Sequence, residues 1–87
     1  MYNIGNGYIG SPNLETSTLN MELIPDKIIL YRLTLMNDQD CHVSINDSTW
    51  IFIRGGQGFN TEPADDNLHS FKIQEAGITF NWIGGVA

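Results

Sequence analysis

The chain has 87 residues, with 4 basic against 10 acidic side chains, a formal net charge of −6 and a sequence pI near 4.4. A chain of that length supports one small core. A field of that sign repels phosphate backbones, so nucleic acid is not an expected partner. Charged residues are only 16% of the chain, against about 25% in typical soluble domains. Asn, Gly, Ser and Thr fill the difference, a composition that suits short strands and turns and does not suit a helical bundle.

Met1–Gly5 has neither the basic n-region nor the apolar h-region of an export signal. The longest apolar run, Ile28-Ile29-Leu30-Tyr31, is too short for a bilayer, so the expectation is no membrane partner. Cys41 is the lone cysteine and cannot staple the domain internally. Stability is expected to come from a hydrophobic core or from burial against other subunits. Asn46-Asp47-Ser48 matches a glycosylation sequon but reads here as a turn.

Residues 1–26 read as an N-terminal arm with one short strand, and residues 27–87 as the β-domain. In the arm, Tyr2, Ile4, Tyr8 and Ile9 stand among Gly5, Asn6, Gly7 and Gly10, a spacing expected of a segment that packs on a neighbour. Apolar residues then fall at Leu14, Leu19, Met21, Leu23 and Ile24 before Pro25-Asp26 breaks the chain. From Lys27 alternation is clear: Ile29, Tyr31, Leu33 and Leu35 are expected on one face, and Ile28, Leu30, Arg32 and Thr34 on the other. Past the polar turn 37–40, Cys41, Val43 and Ile45 point inward. Asn46–Thr49 closes a hairpin against Trp50–Arg54. The glycines of Gly55-Gly56-Gln57-Gly58 permit backbone angles that other residues resist. After the acidic loop 60–67, His69, Phe71 and Ile73 are expected to share a face. Glu75-Ala76-Gly77 has the chemistry of a three-residue hairpin leading into Ile78, Phe80 and Trp82. These elements predict an all-β fold: a single antiparallel sandwich or barrel of five to six strands with an extended N-terminal arm.

No constellation carries catalysis. Cys41 and His42 are adjacent on a strand and point to opposite faces, so they cannot pair directly. The glycine cluster lacks the Lys-Ser/Thr and the helix of a phosphate loop. Asp38, Asp40 and Asp47, with Glu62, Asp65 and Asp66, could in principle offer oxygens to calcium, but the spacing matches no regular loop and solvation is the simpler expectation. No metal or cofactor is expected. Most aromatics in so small a domain belong to the core. Trp50 is the least securely buried; with Gln57 and Phe59 it could form a shallow glycan-stacking site.

The segment Ile45-Asn46-Asp47, then Trp50–Phe59 (WIFIRGGQGF), an acidic loop, and Ser70–Gly84 (SFKIQEAGITFNWIG) resembles small virion structural proteins of tailed bacteriophages, especially those infecting Gram-positive bacteria. The resemblance covers roughly residues 43–84. It implies a non-enzymatic capsid decoration or accessory subunit, assembled in the host cytoplasm and resident in the virion. Its partners would be other virion subunits, the major capsid protein first among them. Closed symmetry would make a trimer or another ring suitable for its homo-oligomer. Tyr2, Ile4, Tyr8 and Ile9 would carry attachment, and removal of residues 1–10 is expected to leave the β-domain folded. The alternative the same resemblance allows is a tail or head-fibre module binding host-surface glycan.

Overall fold

The computed structural model describes residues 7–61 and 67–87. Among them are nine strands and no helix: β1 (Tyr8–Gly10), β2 (Glu15–Thr16), β3 (Met21–Glu22), β4 (Leu30–Asn37), β5 (Cys41–Ile45), β6 (Ile51–Ile53), β7 (Phe59–Asn60), β8 (Phe71–Ile73) and β9 (Thr79–Val86). Every pairing is antiparallel. Sheet A has five strands in the order β1-β9-β4-β7, with β2 also on β9; sheet B has four, β3-β8-β5-β6. The fold is all-β, a two-sheet sandwich and not a closed barrel.

The core lies between the sheets and follows strand alternation. Sheet A supplies Leu30, Leu33, Leu35, Phe80 and Trp82, and sheet B supplies Cys41, Val43, Ile53, Phe71 and Ile73. The expected inward set 41, 43 and 45 is observed, and so is 78, 80 and 82.

Four expectations change. Residues 8–22 are not a free arm: β1 and β2 hydrogen-bond to β9, and β3 to β8, so this segment feeds both sheets. Short as these strands are, each satisfies main-chain groups that a loose arm would leave to water. In β4 the register slips between Leu30 and Arg32, so Tyr31 is the extra residue of a bulge. The bulge lets Leu30 and Leu33 both enter the core, and it sends the Tyr31 ring over Gly85, where an added Cβ would lie 2.5 Å from a ring carbon. His69 does not join Phe71 and Ile73; it is exposed. Leu68 before it is drawn inward by a bridge to Leu30, with hydrogen bonds of 2.7 and 2.9 Å, and the chain changes direction there. Finally, Glu75–Gly77 is a corner and not a hairpin, because β8 and β9 lie in different sheets. Ser17 fills it: its hydroxyl donates to the Glu75 carbonyl (2.6 Å) and accepts from the Ile78 N–H (2.9 Å). Gly77 has φ +85° there, as its position demands.

The hairpin β5–β6 forms as expected. Asn46 and Asp47 take φ of 51° and 63° at its turn, conformations that Asn and Asp tolerate better than most residues. The passage from β4 to β5 also crosses between sheets, and Asn37, only 1% exposed, organises it. Its Nδ2 donates to the carbonyls of Gln39 (2.8 Å) and Arg54 (3.1 Å), while its Oδ1 accepts from the Gly58 N–H (3.1 Å). Replacing Asn37 by Ala strands the buried Gly58 N–H and the Gln39 carbonyl, while the Arg54 carbonyl keeps the Gln57 N–H. The expected cost is about 2–3 kcal/mol in urea denaturation, with the denaturant slope unchanged.

Candidate functional site

No helix among the described residues covers either sheet, so side chains on the outer faces reach solvent. On sheet A the outer face is built by β9, β4 and β1. Ile83 pairs opposite Thr34 on one side and Gly10 on the other; Tyr8 and Arg32 both lie opposite Gly85. Tyr8 is 64% exposed and Ile83 52%, two large apolar side chains on one face. Between and beside them run two shallow depressions. One of about 420 Å³ is lined by Tyr8, Gly10, Pro12, Trp82 and Ile83; the other, of about 140 Å³, by Tyr8, Arg32, Thr34 and Ile83. Gly10 leaves room because its backbone lies against β9: a Cβ there would meet the Trp82 carbonyl at 2.4 Å.

This face is held rigid by polar pairs. The Tyr31 ring lies over Gly85, the residue opposite Tyr8, and hydrogen bonding from Tyr8 together with burial raises the Tyr31 phenol above its ordinary value. The Thr34 hydroxyl donates to Asn60 Oδ1 at 2.6 Å, tying β4 to β7. The Ser11 hydroxyl accepts from the Trp82 N–H at 3.1 Å, and the Ser11 N–H donates to the Trp82 carbonyl at 3.0 Å, which extends the grip of β1 on β9.

The second apolar surface is the β6 edge of sheet B, which pairs with no further strand among the described residues. Trp50, Ile51 and Phe52 are exposed in succession at β6, Phe52 the most at 54%. The Phe52 ring meets the His42 ring edge-on at 5.5 Å. His42 is fixed in turn by Glu75, whose carboxylate accepts from the His42 N–H (2.8 Å) and contacts Nδ1 (2.5 Å). Burial alone would push the Glu75 carboxyl up, but the hydrogen bonds and charge of His42 outweigh it and hold the group below its ordinary 4.5.

The residues singled out in the sequence are dispersed over these surfaces. Tyr8 stands on the outer face of sheet A, whereas Ile9 turns inward and packs on the core. Tyr2 and Ile4 lie outside the described residues, as do Glu62, Asp65 and Asp66. Trp50 is exposed, but Phe59 faces the interior, its ring 5.8 Å from that of Phe71. Gln57 turns its Oε1 to the Arg54 N–H (3.0 Å). Trp50, Gln57 and Phe59 therefore do not form one stacking platform. Asp40 accepts from the Gly55 N–H (2.8 Å) and Asp47 faces Lys72 at 3.6 Å. Among the described residues no three His, Cys, Asp or Glu side chains gather to hold a metal. Cys41 is 1% exposed, and burial, aided by the charges of Glu75 and Asp40, pushes its thiol up to about 11. It is a core residue and a poor nucleophile at neutral pH.

Sequence pattern did not single out Ile83, Phe52 and Met36 as exposed. An apolar Ile83 on the Thr79–Asn81 face of its strand was the available signal.

Because the Glu75 carboxyl is depressed on folding, it contributes stability above pH 4.5, and that contribution is lost as the pH falls through the lower folded value. Glu75→Gln should therefore lower the melting temperature at pH 7 and flatten its dependence on pH below about 4.5. Melting curves from pH 2 to 7 on both chains check this.

The chain matches no protein-family model, no curated protein and no solved structure.

Proposed function

We propose that this protein is a non-enzymatic assembly subunit, a virion structural protein of a tailed bacteriophage that decorates the capsid and stabilises the assembled shell. The observation that carries the docking part of this reading is the outer face of sheet A. There Tyr8 and Ile83 stand exposed over shallow grooves on a face braced by the Ser11–Trp82 and Thr34–Asn60 hydrogen bonds. A paired, preorganised sheet face loses little conformational entropy on docking. Exposed large apolar groups of this kind mark interaction surfaces. The virion assignment itself rests on the resemblance of residues 43–84.

The mechanism is mass action. A subunit that binds the assembled lattice and not its dissociated parts shifts the equilibrium toward the lattice by RT ln(1 + [L]/Kd), about 2.7 kcal/mol at a hundredfold excess over Kd. In this reading Tyr8 is the arm residue that makes the contact, and Ile83 joins it from the far end of the chain. Ile9 acts by anchoring β1 to the core. Removing residues 1–10 would strip β1 from sheet A, so truncation confuses attachment with folding.

Point substitutions separate the two. Tyr8→Glu and Ile83→Glu place a charge on an exposed face and should leave the circular dichroism spectrum in place. Each should weaken co-sedimentation with particles lacking this subunit by at least about tenfold, equivalent to about 1.4 kcal/mol. Undiminished co-sedimentation of both variants would sink the proposed face. The glycan alternative keeps only Trp50 of its three residues exposed and aromatic. A titration of tryptophan fluorescence with host-wall polysaccharide should be flat.

A further inference from the structure

Sheet B ends at β6, and hydrogen-bond parity fixes which main-chain groups its edge presents. The His42 carbonyl accepts from the Gln74 N–H at 2.9 Å, and the His42 N–H donates to Glu75 Oε1 at 2.8 Å. Both groups of His42 therefore point toward the β8 side. In an antiparallel ladder successive residues turn their groups to opposite sides, so Cys41 and Val43 face their partners on β6, Ile53 and Ile51. Phe52 lies opposite His42. Its N–H and C=O consequently point out to the open edge, where they have no partner among the described residues. Arg54 is closed to pairing: its N–H donates to Gln57 Oε1, and its carbonyl accepts from the Gln57 N–H and from Asn37 Nδ2. The edge is thus open at Phe52 and sealed one step further on.

The side chains on this edge are self-complementary. By alternation Trp50, Phe52 and Arg54 share the outer face, with an indole at one end and a cation at the other. Reversing the segment and laying it against itself brings aromatic to cation at both ends. Residues 48–61 contain no Asp or Glu, in a chain whose net charge is −6. Two copies that meet through this stretch bring none of its side chains into like-charge acidic contact.

We infer that β6 pairs antiparallel with β6 of a second copy, about a two-fold axis at Phe52. The two Phe52 residues exchange both main-chain hydrogen bonds, and sheet B becomes one continuous sheet through two molecules. In this register Trp50 faces the Arg54 of the second copy, and the same contact recurs on the other side of the axis. Each guanidinium then lies over an indole. The interface is isologous, as a two-fold requires. It differs from the trimer or ring that resemblance to a lattice-binding subunit suggests, and it uses none of the residues on the outer face of sheet A. It therefore stands or falls without particles.

Sedimentation velocity of the full chain from about 1 µM to about 1 mM, alongside amide exchange by NMR, tests it. The expected result is a mass that doubles with concentration and protection of the Phe52 amide that rises in step. Phe52→Lys and Arg54→Glu should each weaken self-association at least about tenfold. Arg54→Glu keeps the experiment decisive if Phe52→Lys misfolds, because the Arg54 side chain is exposed. A chain monomeric at every concentration overturns the inference. So does association that leaves the Phe52 amide unprotected or that survives both substitutions. Capture of a strand from a different protein at this edge would likewise exclude the second copy as its occupant.

Discussion

The carboxamide of Asn37 sits where the chain leaves sheet A for sheet B, and its three hydrogen bonds hold the 38–40 turn, the end of β6 and the glycine loop in one unit. Two sheets in so short a chain bury little apolar area, which makes polar contacts between them weigh more in their alignment. Polar clasps at the crossings provide such contacts. Ser17 closes the corner between β8 and β9, and the Leu30–Leu68 bridge joins β4 to the approach to β8. With the crossings fixed, alternation, interrupted by the bulge at Tyr31, decides which side chains meet between the sheets. It equally decides which are left outside, because no helix among the described residues covers an outer face.

That constraint explains which parts of the fold are legible in the sequence. Cys41, Val43 and Ile45 alternate with polar neighbours, and so do Phe80 and Trp82, so their faces follow from period two. Asn46-Asp47 announces its own turn. Other features depend on partners far along the chain. The Tyr31 bulge exists because Gly85, on β9, makes room for the ring. The phase of His69 is broken by Leu30, and the Glu75–Gly77 corner is completed by Ser17, which local turn chemistry does not reveal. Phe59 reads like an exposed aromatic beside a glycine loop, yet β7 pairs with β4 in the register that turns it to Phe71.

The candidate surfaces were legible only in part, for a related reason. Alternation assigns a residue to a face but does not say whether another layer covers that face. Tyr8 and Trp50 stood out because each lies beside turn residues. Ile83 and Phe52 belong to well-patterned strands, and their exposure follows only from the sandwich having two layers and open edges. The two surfaces divide the proposed work. The outer face of sheet A offers a flat apolar patch for a particle, and β6 offers a single-residue seam for a second copy. In this account, burial against neighbours provides area that the core of so short a chain lacks.

In the proposed role the chain works as part of a particle. Gold-labelled antibody against it, viewed by electron microscopy on intact phage virions, is the most direct test. Label distributed over the head is the expected result. Virions that contain the protein but carry label only at the tail tip, or virions from which mass spectrometry shows the protein absent, would contradict it.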